Sequence, residues 1–311
     1  MFRRSGILFV LLVAAGCSET ASSDRLSIVA TTGHIHDALV RITKGAEADL
    51  KLLCGPGVDP HSYSASTRDV QAIDRASAIF YNGFHLEAKL HDLLHGDKYG
   101  GKAWAMASAF PNESRLDWIE DGAIDPAAPY DPHIWNHLPG WAACVEALAG
   151  RLAEIDPDHA ELYKTNGRAY AEEIRNAHTW ASTELAKIPV DRRLLVSAHD
   201  AFNYFAGAYG LETVAVLGVG NDPEADIKTM QSVSAVISAR KVPVIFMESM
   251  TNPKVTEALQ EACTARGWPV SISTDPLYSD DLGDSAPQDT YLGAFRSNVE
   301  VIREQLGSAS G

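Results

Sequence analysis

From residue 26 onward, apolar positions fall into short β-rich runs separated by segments with helical spacing. Residues 26–30, 49–54, 78–81 and, more weakly, 102–106 read as strands, with helices at 37–42, 68–76 and 86–94 between them. Such βαβ alternation predicts a parallel sheet with helices on both faces. The pattern restarts at Arg193, with strands at 194–197, 213–218, 242–247 and 270–273 and helices at 201–209, 225–240, 254–266 and 291–306. Between the two sets, 158–188 is helix-rich and bounded by Pro157 and Pro189. Uninterrupted, it would form a rod of roughly 46 Å, with Gly167 as its weak point. The expected layout is an N-terminal α/β lobe at 26–157, a linking helix at 158–189 and a C-terminal α/β lobe at 190–311.

The first residues follow a different pattern. Arg3 and Arg4 precede an apolar run over 7–15, which has the charge and length of a secretory signal and is too short to span a bilayer as a finished helix. Ala15-Gly16-Cys17 is similar to a lipoprotein cleavage site, in which the thiol of Cys17 takes the lipid. Residues 1–17 are therefore expected to be removed or lipidated as a signal peptide, and 18–25 to form a polar tether. An extracytoplasmic, membrane-anchored location follows.

The formal net charge is −15, and without the first sixteen residues 24 basic face 41 acidic residues, or −17. That surface repels nucleic acid and mildly favours cations in a cleft. Composition is otherwise that of an ordinary globular protein, 46% hydrophobic and 22% charged. Cys54, Cys144 and Cys263 lack metal-knuckle or redox spacing and sit in apolar company, so buried free thiols are expected.

Three histidines carry the chemistry. His61 follows a strand end and the loop Gly55-Pro56-Gly57-Val58-Asp59-Pro60; in parallel sheets such loops are where ligands bind. His133 repeats the tripeptide in Asp131-Pro132-His133, at what reads as a helix start, and His199 directly follows the strand at 194–197. Asp59 and Asp131 are placed to orient their histidines, Glu248 to support the same cleft from a strand end. Three neutral imidazoles plus a carboxylate make a four-ligand site suited to zinc. Asp275, Asp280 and Asp281 all compete for the fourth position. His34 and His36 flank the start of the first helix, near enough for an accessory role. His91 and His95 stand i,i+4 on one helix face, a chelating spacing, but with no third donor beside them an exposed helix face is the expectation.

Taken together, Gly57-Val58-Asp59-Pro60-His61-Ser62-Tyr63, Asp131-Pro132-His133-Ile134-Trp135, Ser197-Ala198-His199-Asp200-Ala201-Phe202-Asn203-Tyr204-Phe205, Phe246-Met247-Glu248-Ser249 and Leu277-Tyr278-Ser279-Asp280-Asp281-Leu282-Gly283 resemble the solute-binding proteins of zinc and manganese ABC importers, the TroA and ZnuA type. The resemblance runs from about Leu26 to Leu306. It implies two α/β lobes bridged by one long rigid helix, with the metal in the cleft between them. It carries ligation to His61, His133, His199 and Asp280, and implies a monomer that delivers Zn2+, or Mn2+, to a cognate ABC permease. One departure is the segment 112–129, where zinc-specific members often have a histidine-rich loop: here it has no histidine and several acids.

Other function classes compete. A metallohydrolase could use the same donors, with Glu248 as base, but no HExxH or GxSxG motif is present. A surface adhesin is a further alternative, which lipidation would serve equally. A receptor is the expected class, and catalysis is not.

Overall fold

The computed structural model describes residues 25–120, 123–124, 126–219 and 226–308. Cys17 and the expected signal peptide lie outside them. The N-terminal half runs β1 (Leu26–Ala30), α1 (Gly33–Ile42), β2 (Ala48–Leu52), α2 (Thr67–Arg75), β3 (Ala78–Tyr81), α3 (His91–His95) and β4 (Ala103–Ala105). Its four strands pair in parallel in the order β2-β1-β3-β4. The central β3 is buried at every position, as a strand covered on both faces must be. The edge strand β2 alternates, so that Asp49 and Lys51 face water. Apolar clusters lie on both sides of this sheet.

An antiparallel hairpin of β5 (Ile119–Glu120) and β6 (Ala123–Ile124) then interrupts the alternation. Its ladder continues through Trp118 N–H to Pro129 O and Asp131 N–H to Leu116 O, so the acidic 112–129 segment delivers the chain directly to His133. Next comes α4 (Leu138–Ile155), an 18-residue helix that the alternation of strands and helices did not reveal. Trp141, Val145, Leu148 and Leu152 lie fully buried on one face, while the opposite face mixes alanine and glycine with Glu146, Arg151 and Glu154 as its only charges, so the polar face of a surface helix is weak in its sequence.

The linking helix is α5 (Ala160–Leu185), 26 residues preceded by a short 3-10 turn, Pro157–His159. It spans about 39 Å at 1.5 Å per residue. Tyr163, Gly167, Tyr170, Ile174, Ala177, Ala181 and Leu185 form its buried stripe. Gly167 is no weak point: a Cβ there would lie 2.4 Å from that of Ala149 on α4, so the glycine lets the two helices close together.

The C-terminal half runs β7 (Leu194–Ser197), α6 (Asn203–Tyr209), β8 (Glu212–Ala215), α7 (Ile227–Arg240), β9 (Val244–Ile245), α8 (Pro253–Ala265), β10 (Ser271–Ile272) and α9 (Tyr291–Gly307). The pairs β7-β8 and β9-β10 are parallel, and Phe246 N–H to Val196 O joins them. This is the expected α/β architecture: two lobes with parallel sheets flanked by helices, bridged by one long helix. One core holds both together, because residues of α1, α4, α5, α6 and α9 belong to a single apolar cluster. Cys54, Cys144 and Cys263 are buried free thiols, as expected. Among the described residues no helix is long and apolar enough to cross a membrane.

Candidate metal centre

Each candidate donor sits on a loop that a strand or helix end fixes. His61 lies in the loop between β2 and α2, where Asp59 Oδ1 accepts from the His61 backbone N–H at 2.8 Å and Asp59 Oδ2 from Ser62 Oγ at 2.8 Å. Asp59 thus shapes the loop and does not touch the ring through these bonds, unlike the orienting role expected of it. Asp131 does both: its Oδ1 takes the backbone N–H of His133 at 2.9 Å and meets the ring Nδ1 at 2.7 Å. His133 caps a 3-10 turn, Ile134–Asn136, rather than opening a helix directly.

His199 follows β7. Glu248 Oε1 accepts from the backbone N–H groups of Ala198 and His199 at 3.0 and 2.9 Å, and Oε2 lies 3.1 Å from His199 Nδ1. Glu248 itself pairs with Leu277 across a parallel bridge, so the strand end carrying it is tied to the loop carrying Asp280. The cap of α8 is Asn252, leaving Glu248 to His199. Asp280 is set by Asn298 of α9, which bonds both the N–H and the C=O of Tyr278 at 2.8 and 2.7 Å.

The four side chains converge from both lobes. Asp280 Oδ2 lies 3.2 Å from His61 Nε2 and 3.6 Å from His199 Nε2, and Oδ1 lies 3.5 Å from His133 Nε2. One donor atom from each of the four residues can be chosen so that all lie within 4.8 Å of one another. His133 and His199 are fully buried, Asp280 2% and His61 8% exposed. Even so, His61 Nε2, His133 Nε2 and both Asp280 oxygens have no aligned hydrogen-bond partner. Buried polar atoms are normally satisfied, so four orphans aimed at one point fit a cation. Asp275 is exposed, and Asp281 is engaged elsewhere: it accepts from Gly57 N–H at 2.8 Å and from Ser249 Oγ. Of the three competing aspartates, only Asp280 faces the histidines.

Electrostatics in this dry pocket are strong. Burial would lower the pKa of His199, but the charges of Asp280 and Glu248, with the Glu248 hydrogen bond, push it up to about 10. Burial opposes ionisation of Asp280 as well, yet His199, His133 and His61 hold its carboxyl well below the usual range. Burial pulls His61 down despite the Asp280 contact. The His199 imidazolium and the Asp280 carboxylate, 3.6 Å apart, therefore form an internal ion pair.

Several contacts that lock the lobes around this point carried no signal of their own in the sequence. Trp135 Nε1–H donates to Ser279 O at 2.8 Å, and Tyr291 Oη–H to Trp135 O at 2.6 Å. Asn203 Nδ2 reaches Asp131 Oδ2 at 3.1 Å, and Tyr204 Oη reaches Asp131 O at 3.1 Å. Trp135, Asn203 and Tyr204 stand inside the motifs that first drew attention, but their inward direction is a tertiary fact. His34 is buried and stacked on Trp135 with ring centroids 4.6 Å apart, and burial lowers its pKa to about 3. That makes it a neutral packing partner of the His133 loop. His36 is half-buried and lines a different cavity beside Leu282.

Residues 28–305 match the family described as zinc-uptake complex component A, periplasmic. The chain belongs to that family. It is 35% identical to the zinc-binding protein TroA of Treponema pallidum, over 96% of this chain and 94% of the relative. It is 32% identical to the manganese-binding lipoprotein MntA of Bacillus subtilis, over 97% of this chain and 98% of the relative. The solved structure of periplasmic zinc-binding TroA from Treponema pallidum superposes with a TM-score of 0.83, covering 91% of this chain and all (100%) of that one. Fe(III)-bound YtgA from Chlamydia trachomatis gives 0.79 at 27% identity, covering 91% and 98%. The names of these family relatives speak of metal binding, not of catalysis or adhesion.

Proposed function

We propose that this chain is an extracytoplasmic receptor that captures one divalent transition metal, Zn2+, and delivers it to a cognate ABC permease. The observation that carries the reading is the buried convergence of His61, His133, His199 and Asp280 from two lobes, with His61 Nε2, His133 Nε2 and both Asp280 oxygens orphaned. A ligand set split between the lobes ties them together when the ion binds. A nanomolar site is worth about 12 kcal/mol, so release requires the permease to separate the lobes. The metal is cargo: both oxygens of Glu248 are committed to the His199 loop, which leaves it supporting a ligand rather than activating water.

Zinc is favoured over manganese by the donors. Three imidazoles form a nitrogen-rich set, manganese prefers oxygen, and the intrinsic affinity order places zinc higher. The relatives named for zinc, manganese and iron make the metal a property of each chain's own donors. Anchoring through Cys17 completes the reading, and relatives named as lipoproteins support it. Titration of the apo-protein with zinc against a competing chelator tests it: one high-affinity equivalent is expected, lost in His61→Ala, His133→Ala and Asp280→Asn and kept in His91→Ala. Retention of tight binding by all three site variants would sink the proposal.

A further inference from the structure

The loops that carry the ligands are not held equally. Around His133 the C-terminal lobe bonds the chain from several sides. Trp135 Nε1–H donates to Ser279 O, Tyr291 Oη–H to Trp135 O and Asn136 Nδ2–H to Ala201 O at 2.9 Å, while Asn203 and Tyr204 reach Asp131. The loop of His61 has far less. It leaves its own sheet after Leu53 N–H to Ala30 O at 3.0 Å and Cys54 N–H to Thr31 O at 2.8 Å. Apart from the His61 ring itself, among the described residues one hydrogen bond ties 55–66 to the C-terminal lobe: Gly57 N–H to Asp281 Oδ2 at 2.8 Å.

The local sequence makes that bond available. Gly55-Pro56-Gly57-Val58 is closed by Val58 N–H to Gly55 O at 3.0 Å, with Gly57 at φ 74°. Proline second and a left-handed glycine third make a type II turn, in which the first C=O takes the fourth N–H. The third N–H, that of Gly57, is left for another acceptor, and Asp281 supplies it. Pro56 and Gly57 are exposed, whereas Asp281 is only 5% exposed. Its other oxygen accepts from Ser249 Oγ, and Ser249 N–H is fixed to Leu277 O at 2.9 Å. Ser249 adjoins Glu248, which supports His199. One carboxylate, next in sequence to Asp280, therefore touches both the loop of His61 and the strand end behind His199.

Packing does not back up this bond. A cavity of about 410 Å³ separates the two loops beside it, lined by Cys54, Gly55 and Pro56 from one and Leu282, Gly283 and Asp284 from the other. Once the bond breaks, the His61 loop has room to move.

We propose that Asp281 is a positioning residue of the metal centre, a latch that holds the His61 loop against the C-terminal lobe and so sets how fast the captured ion leaves. The proposal rests on the receptor reading above and adds which edge of the centre opens first. With the latch open, His61 retreats on its loop while His133 and His199 stay in place, fixed by bonds that do not involve Asp281.

Release of zinc from the loaded full chain into excess chelator, followed by stopped flow, tests this. A hydrogen bond to a charged group is worth about one to two powers of ten in an equilibrium constant. Asp281→Ala should therefore speed release roughly 10–100-fold and leave the rate of capture nearly unchanged. Asp281→Asn keeps an oxygen for Gly57 N–H and presents its NH2 to Ser249 Oγ, which can accept, so it should recover the larger part of that loss. A carboxylate acting only through its charge would be missed equally in both variants. Ser249→Ala, at an exposed position where the fold is safe, should speed release by less and in the same direction. Hydrogen exchange in zinc-loaded Asp281→Ala should rise over 55–61 and not over 133–137. Wild-type protein that takes up no zinc would refute the receptor reading, and the latch with it. Tight uptake combined with wild-type release in Asp281→Ala, with equal acceleration in the Ala and Asn variants, or with exchange rising alike in both loops, overturns the latch alone.

Discussion

Glu248→Gln changes one atom of a fully buried side chain and should disable His199 as a ligand. Glu248 takes three donors: two backbone N–H groups through Oε1 and the ring through Oε2, 3.1 Å from Nδ1. A glutamine that keeps its oxygen on the backbone groups must point its NH2 at Nδ1. Donor would then meet donor, so the neutral ring that zinc requires would keep its proton on Nε2, the atom facing Asp280 at 3.6 Å, rather than on Nδ1. Zinc needs that atom bare. The opposite amide flip is worse, since it sets NH2 against two backbone N–H groups. Outer-shell partners of this kind are worth about 10–100-fold in metal affinity, or roughly 1.4–2.7 kcal/mol. Competitive zinc titration measures the loss, and thermal unfolding of the apo-protein checks the fold.

A second reading of the same variant comes from protons. His199 is raised from 6.5 to about 10 in the empty site, so zinc binding at neutral pH must expel a proton, and affinity should fall as pH falls. The same shift means that the charged ring stabilises the apo-fold below pH 6.5, a contribution lost as pH rises through about 10. Glu248→Gln should diminish both the proton release, measured by calorimetry in buffers of different ionisation enthalpy, and this pH dependence. A glutamine variant with wild-type zinc affinity and wild-type proton release would refute the reasoning.

Three further outcomes are expected. His199→Glu should weaken zinc more than manganese and narrow the gap between them in parallel calorimetry; wild-type protein that binds manganese as tightly as zinc would overturn the metal assignment. Gly167→Ala should lower stability in thermal unfolding: the added Cβ, 2.4 Å from that of Ala149, forces overpacking worth about 1–3 kcal/mol against a helix-propensity gain of about 1 kcal/mol. Cys17→Ser should abolish lipid labelling and move the protein to the soluble fraction or leave it unprocessed, and unchanged membrane partition would contradict anchoring through that thiol.

What the sequence determined by itself is local or repeated. Strands such as 26–30 and 78–81 declare themselves because a parallel strand covered on both faces needs a continuous apolar run. The duplicated Asp-Pro-His marks His61 and His133 because proline and aspartate act on adjacent backbone, and His199 because it directly follows a strand. Helix α4 stayed hidden for a physical reason: the half-exposed face opposite its buried stripe mixes alanine and glycine with Glu146, Arg151 and Glu154 as its only charges, so its polar face is too faint to make helical periodicity visible.

Only the tertiary structure decided the rest. Identical tripeptides place Asp131 on the ring of His133 and Asp59 on the backbone of His61, because what surrounds each loop differs. Among Asp275, Asp280 and Asp281, one residue of displacement separates the carboxylate that faces the three histidines from a tie between Gly57 and Ser249, and only packing sets which carboxylate turns inward. His85 meets the ring of His91 through a left-handed turn that a buried glutamate holds, a conformation foreign to the propensities of Phe84 and His85. Convergence depends on the direction of side chains whose loops are far apart in sequence, and that direction is fixed when the shared core of α1, α4, α5, α6 and α9 closes.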